Sequence, residues 1–375
     1  MSKWIVSAFC VVTLGLAASL LSAAEPTHCT MSSAPTGFYL TTGGIDCLSN
    51  QGQVVGKQYV SGHFRAALWD TQTSTIIPLT GMTGDSGGGR INNAGQVYGS
   101  DGAGLFIWSA ADGRAPVTFP DTTYYVQHMN DQGRLICSKF GGTYARTWLW
   151  ESNQSFYEIT IGSSRSVYTL AFNALGQIAG RYSTTSTNNA FLRDSDGTVY
   201  VLPVPALSGA TTVTPYALND HGVVAGRITR TGQTWDTMFT WTVNDGYTFF
   251  DLPLPLSGNG VANLTNSGVM AINVAASNPA HVQNTAFLWS EEWGLTSLTS
   301  LIDNLPAGDA VAKVEGINEA GQIICRVRAA STEGQTSFTP TTVLLTPVPE
   351  PASVGLLGLG LLALLRKRRR FRSTR

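Results

Sequence analysis

Between residues 37 and 347 the chain alternates short apolar runs with polar turns, and no window there carries a helical period. One phrase returns seven times: LSNQGQVVGK, INNAGQVYGS, MNDQGRLICS, FNALGQIAGR, LNDHGVVAGR, LTNSGVMAIN and INEAGQIICR. Its glycines are Gly52, Gly95, Gly133, Gly176, Gly222, Gly268 and Gly321, spaced by 43, 38, 43, 46, 46 and 53 residues. A second phrase follows each copy: RAALWD, GLFIWS, RTWLWE, NAFLRD, MFTWTV, TAFLWS and, weaker, TTVLLT. The best-formed unit reads YAL, NDHG, VVAGRI, MFTWTV, the turn NDG and YTFFDLP. That is four short runs rich in β-branched and aromatic residues, separated by Asn, Asp and Gly.

The glycine phrase carries its own mechanism. Three positions before each glycine stand Ser49, Asn92, Asn130, Asn173, Asn219, Thr265 and Asn318. Each has a side-chain oxygen able to accept a backbone N–H further along, as in an Asx- or ST-turn. The glycine then supplies the positive φ of a tight hairpin. A ring of oxygens around a cation is the sharper reading, but the backbone already claims those oxygens. The next strand carries a small residue at Gly56, Gly99, Gly180 and Gly226, with Cys137 and Cys325 in the same place. Buried free cysteine behaves as a small apolar side chain.

Seven four-stranded units of about 45 residues predict an all-β, seven-bladed β-propeller of four-stranded blades. Each sheet is apolar on both faces and is stable only against its neighbours. A right-handed β-solenoid is the runner-up and would use shorter, more even repeats. The last unit lacks an outer strand, and GFYLTT (residues 37–42) is expected to supply it and close the ring.

The two ends read differently. Residues 1–24 combine Lys3, an apolar run over residues 4–21 and small residues, which predicts a signal peptide cut by signal peptidase after Ala24. Residues 25–36 read as a linker. At the other end, residues 352–365 are 14 apolar positions followed by Arg366, Lys367, Arg368, Arg369 and Arg370. A spanning helix needs about 20 apolar residues, so this transmembrane helix is short, with its basic cluster on the cytoplasmic side. Pro349, Glu350 and Pro351, then the Leu/Gly helix, then the arginines resemble the PEP-CTERM sorting signal over residues 348–375. The resemblance implies an exported protein of a Gram-negative bacterium that makes exopolysaccharide, with an exosortase as processing partner. It assigns those three residues to recognition, not catalysis.

Residues 37–347 also resemble the HAF repeat of bacterial extracellular proteins, most clearly in NTAFLWS and ALNDHGVVAGR. AFLRD departs from the pattern by lacking the tryptophan, and LTNSGVMAIN by lacking the small residue. The resemblance implies a secreted repeat module and no enzymatic activity.

Charge sharpens this picture. Without Lys3 and the seven basic residues of the tail, 23 − 8 leaves 15 basic residues against 24 acidic ones, near −9. So acidic a body excludes nucleic acid, which requires a basic face. Of the mature cysteines, Cys29 and Cys47 are left for a disulfide, which an export compartment permits.

Candidate chemistry is sparse. GDSGGG, residues 84–89, looks like the surroundings of a serine-protease nucleophile. Only His28 and His63 precede Ser86, however, and neither has the context a catalytic base requires. Ser86 instead falls in the loop joining two units. His28, His63, His128, His221 and His281 lack metal-ligand spacing, and DSDG (194–197) and NDG (244–246) read as hairpin turns rather than calcium loops. No cofactor, metal or catalytic residue is expected. Trp69, Trp108, Trp148, Trp150, Trp241 and Trp289 are expected between blades, while Trp235 and Trp293 are candidates for stacking on sugar. The favoured function is a non-enzymatic surface or matrix module associated with exopolysaccharide. The alternatives are a secreted propeller glycosidase or polysaccharide lyase, drawing on acids such as Asp101, Asp121, Asp236 and Glu292, and a protein-binding scaffold.

Overall fold

The computed structural model describes residues 28–41, 46–139, 143–233, 237–252, 260–274, 286–329 and 341–348. The predicted signal peptide, Pro349, Glu350 and Pro351, and the apolar run 352–365 lie outside them. Among the described residues no helix is long and apolar enough to cross a membrane; the one helical segment is the 3-10 turn Leu298–Leu301.

Seven antiparallel four-stranded sheets follow one another around an axis. Blade 1 is Phe38–Leu40, Gln53–Val60, His63–Asp70 and Thr75–Pro78; blade 5 is Ala210–Leu218, Val224–Arg230, Thr237–Thr242 and Gly246–Asp251. Blades 2, 3, 4 and 6 begin at Gly87–Ile91, Tyr124–Met129, Ser166–Phe172 and Gly260–Leu264, and each steps outward in chain order. This is the propeller that the repeats predict.

Blade 7 closes the ring. It holds Ala310–Ile317, Ile323–Arg328 and Thr341–Pro347, and its fourth strand is Cys29–Ser33, from the other end of the chain. Closure by an N-terminal strand is therefore correct, but the segment differs from the expected GFYLTT. Phe38–Leu40 pairs with Gln53–Val60 as the first strand of blade 1, with Tyr39 opposite Lys57. The closing strand sits inside the stretch read as a linker. Outer strands bury little: Thr75–Pro78 has no buried residue, and Cys29–Ser33 has only Cys29. Such a strand has little apolar pattern to betray it.

The core lies between blades. Val55 and Trp69 of blade 1 share one cluster with Ile91 and Trp108 of blade 2 and with Ile324 and Leu344 of blade 7. Trp241 packs on Ala179 and Leu192 of blade 4, and Trp289 stacks on Phe250 of blade 5 at 4.3 Å between ring centres. Trp69, Trp108, Trp241 and Trp289 thus hold neighbouring blades together, as expected, whereas Trp148 meets Tyr124 and Phe156 of its own blade. Small second-strand residues are explained by what lies beside them. A Cβ on Gly226 would sit 2.2 Å from the Thr214 carbonyl oxygen and 2.8 Å from the Phe239 ring, its neighbour on the third strand. Cys137 and Cys325 occupy that place fully buried. Cys29 and Cys47 are also buried, in blade 7 and blade 1 respectively, and are not joined in the disulfide the compartment would permit. Burial, with Glu315 second, pushes the Cys47 thiol up to about 12.

The glycine turns do more than reverse the chain. Every residue three before the glycine accepts the N–H four positions on: Ser49 from Gln53 at 3.2 Å, Asn219 from Val223 at 3.0 Å, Thr265 from Val269 at 3.0 Å. All five asparagines of the set also reach across to the next blade. The Nδ2 of Asn92 donates to the Asn130 carbonyl (2.8 Å), Asn130 to Asn173 (3.3 Å), Asn173 to Asn219 (2.9 Å), Asn219 to Thr265 (3.0 Å) and Asn318 to Ser49 (3.0 Å). Ser49 and Thr265 have no amide to give. In their place Asn263 donates to the Ile317 carbonyl (3.1 Å), and Arg90 pairs with Asp46 (2.9 Å).

A second belt runs beside the first through the following residue. Its side chain accepts the backbone N–H of the equivalent residue in the preceding blade: Asn50 to Asn93 at 2.8 Å, Asn93 to Asp131 at 2.8 Å, Ala174 to Asp220 at 2.9 Å. It continues from Asp220 to Asn266 at 2.8 Å, Asn266 to Glu319 at 2.8 Å and Glu319 back to Asn50 at 2.9 Å. The one gap is at Ala174, which has no oxygen for the Asp131 N–H.

Both belts are testable. Asn219→Ala removes a buried acceptor for two N–H groups and the cross-blade donor together, and is expected to cost about 2–4 kcal/mol in urea unfolding. Ala174→Asp fills the gap and should raise stability by about 0.5–1.5 kcal/mol. A destabilising Ala174→Asp would show that the second belt contributes nothing.

Candidate functional site

The first strands line the axis and run towards the glycine turns. In six blades the first strand carries one extra residue, three positions before the belt residue: Gly89, Gln127, Leu170, Tyr216, Ala262 and Glu315. Such bulges re-aim side chains and recur beside functional sites. Asp46 stands at the same offset before Ser49 in blade 1. At this position blades 7 and 1 carry acids, Glu315 and Asp46, and at the next position blades 2 and 3 carry Arg90 and His128, so one arc of the channel is polar and charged.

In that arc Asp46 is held by Arg90. Glu315 accepts Lys313 Nζ at 2.7 Å and Arg326 Nε at 2.5 Å, with only 9% of its side chain exposed. His128 lies near enough to Asp46 and Arg90 to feel both charges. Burial pushes its imidazole down to about 4; Asp46 opposes the shift and Arg90 reinforces it.

At the turn end the axis narrows to a cavity of about 130 Å³ lined by the belt residues. The carboxylates of Asp131, Asp220 and Glu319 there already accept backbone N–H groups, so this end is structural. The other end is more promising. Strand register puts Tyr39, Gly87, Tyr125, Tyr168 and Lys313 at equivalent first-strand positions, opposite Lys57, Ser100, Ser138, Arg181 and Arg326. Tyr39, Tyr125 and Tyr168 are 50%, 37% and 52% exposed. Flat amphipathic rings beside basic side chains are suited to polar, ring-shaped ligands.

The residues singled out in the sequence fall as follows. Ser86 is buried in the connection from blade 1 to blade 2, and its Oγ accepts the Ala66 N–H at 2.9 Å. His63 contacts Asp85 at 3.0 Å on the exposed rim, while Asp85 also accepts the Phe64 N–H at 3.1 Å. Ser86 thus fastens a loop, as the linker reading expects. The loop acids are not brought together. Asp101 is bound by Arg114 at 2.8 and 3.0 Å, which holds its carboxyl below the usual range. The exposed Asp121 pairs with Lys139 at 2.8 Å, and that contact brings it to about 2. Glu292 is exposed in blade 6, and Asp236 lies outside the described residues. DSDG and NDG are hairpin turns between third and fourth strands, with Asp196 spent on the Thr198 N–H at 2.8 Å.

Trp293 is half-buried, packed against the blade 7 core with its indole nitrogen buried; Trp235 and His281 lie outside the described residues. Among the described residues no three His, Cys, Asp or Glu side chains converge. The exposed tyrosines went unrecognised because their shared position emerges only from strand register.

Residues 347–370 match the PEP-CTERM protein-sorting motif. A chain with this signal is exported and sorted by exosortase, and the match begins at Pro347, the last residue of blade 7's third strand. No curated protein matches the chain. Among solved structures, an oligogalacturonate lyase from Vibrio parahaemolyticus is similar at 12% identity and TM-score 0.56, over 88% of this chain and 93% of that one. An oligogalacturonate lyase in complex with manganese is similar at 10% identity and TM-score 0.54, over 86% and 99%. At such identities the likeness is one of fold.

The channel histidine has a measurable signature. A folded pKa below the ordinary value of about 6.5 means the unfolded chain binds the proton first, so stability is lost as pH falls from there towards 4. Urea unfolding at pH 7 and pH 4.5 should show this loss, and His128→Gln should reduce it. An identical pH slope in the variant would mean that His128 does not carry this loss.

Proposed function

We propose that the chain is a cell-surface or matrix protein built of HAF-type repeats, whose propeller binds exopolysaccharide without turning it over. The observation that carries this reading is the channel mouth, where Tyr39, Tyr125 and Tyr168 lie exposed beside Lys57 and Arg181. The sorting signal supports it by delivering the propeller outside the cell. A polysaccharide lyase or glycosidase is the second reading, favoured by two carboxylates, Asp46 and Glu315, in neighbouring blades. Both are engaged by cations, whereas glycoside hydrolysis needs one carboxyl group free to give a proton.

The processed protein should co-sediment with exopolysaccharide from the producing cells and release no new reducing ends or unsaturated products. The double variant Tyr125→Ala, Tyr168→Ala should bind about tenfold more weakly. Product release would turn the assignment to the lyase or glycosidase, and failure to bind any glycan would turn it to a protein-binding scaffold. Replacing Glu350 by Ala should leave the precursor unprocessed; normal processing would remove that residue from the recognition role.

A further inference from the structure

At the channel mouth blade 2 has no side chain, as blade 6 has none at Gly260. The first strand of blade 2 reads GGGRI where blades 3 and 4 carry tyrosine at the register-equivalent place. The three glycines are not alike. A Cβ on Gly88 would sit 2.4 Å from Val55 Cγ2, so packing requires glycine there. A Cβ on Gly87 would meet only Thr41 Cγ2 at 3.8 Å, and one on Gly89 only atoms of Tyr98 at 3.6 and 3.8 Å. Neither residue has a positive φ. Neither backbone nor packing therefore calls for glycine at 87 or 89. A glycine in a strand with no such requirement marks a place where something else approaches the backbone.

What those absent side chains leave is a cleft of about 350 Å³ between blades 1 and 2, within the size range of small-ligand sites. Its blade 1 wall is one face of the sheet. Lys57 Nζ lies 4.0 Å from the centre of the Phe64 ring, and that ring meets Tyr39 and Tyr59 edge-on at 5.8 and 5.1 Å. Tyr59 is 53% exposed. Lys57 has no ion-pair partner among the described residues, and Asp85 at the rim has an oxygen engaged by the Phe64 N–H and His63. The other wall is formed by Gly87, Gly89, Tyr98, Gly99 and Ser100, of which Ser100 is exposed.

We propose that this cleft is a saccharide subsite for one acidic sugar residue, its ring against the Phe64 aromatic and its carboxylate at Lys57. The proposal deepens the exopolysaccharide reading and rests on it. An ammonium with no ion-pair partner among the described residues, set in a cleft, favours an anionic ligand, and the exposed Ser100 hydroxyl suits a sugar oxygen.

The test uses the processed protein with two probes, methyl glucuronide and its uncharged counterpart methyl glucoside, in saturation-transfer NMR and calorimetry. Wild type should prefer the glucuronide by about tenfold, and Lys57→Gln should erase that preference. Gly87→Tyr gives blade 2 the residue that blades 3 and 4 already carry, so it should fold normally, fill the cleft and abolish glucuronide binding. Glucuronide binding unchanged in a folded Gly87→Tyr protein overturns the subsite, as does equal affinity for the two probes. Polymer binding without glucuronide binding overturns the subsite alone. Glucuronide binding at the cleft without polymer binding upholds the subsite and overturns the exopolysaccharide reading.

Discussion

The ring is held by a side-chain amide that serves two blades at once. Each asparagine of the glycine turns caps its own hairpin with its oxygen and ties down the next blade's carbonyl with its nitrogen. Neither half suffices alone. Without the cap, the turn would not present the carbonyl to the preceding blade; without the cross-link, the inner ends of twisted sheets would meet through apolar contact only. A directional bond in a buried setting fixes blade angle as apolar packing cannot, because burial is indifferent to small rotations. Seven repeats of similar angle then complete a circle.

Much of this was legible in the chain. The seven-fold phrase, its turn chemistry and the place of the tryptophans follow from spacing and residue type, and the structure agrees with them. The second belt was equally written in the sequence, as the polar residue after each Asn, Ser or Thr: Asn50, Asn93, Asp131, Asp220, Asn266 and Glu319. It was missed because a turn residue's polarity reads as solvent exposure until a neighbour's N–H is seen to need it. The closing strand was misassigned for the opposite reason. GFYL is strongly apolar and attracted the role, yet strong apolar character belongs to inner strands. CTMSS is polar because an outermost strand has water on one side.

The candidate site was the least legible part. Tyr39, Tyr125 and Tyr168 share no sequence context; they are related only by what lies opposite them on the second strand. The same holds for Gly87, whose meaning comes from the tyrosines it replaces. The proposed site is made of departures from the repeat, while conformity to the repeat builds the frame. The serine-protease resemblance of GDSGGG dissolves for the same reason: its glycines are a local departure that shapes a wall, and its serine is a fastener.

The two ends of the ring leave it side by side, since the Val348 N–H donates to the His28 carbonyl at 2.7 Å. The strand that continues into the sorting motif is not the blade's edge; it is hydrogen-bonded along both sides, to Ile323–Arg328 and to Cys29–Ser33. Tension applied through the residues beyond it would act along the strand's length, in shear, and would have to rupture two ladders together instead of peeling one bond at a time. Such a seam makes a strong mooring point, at the single place where a circular body must be interrupted.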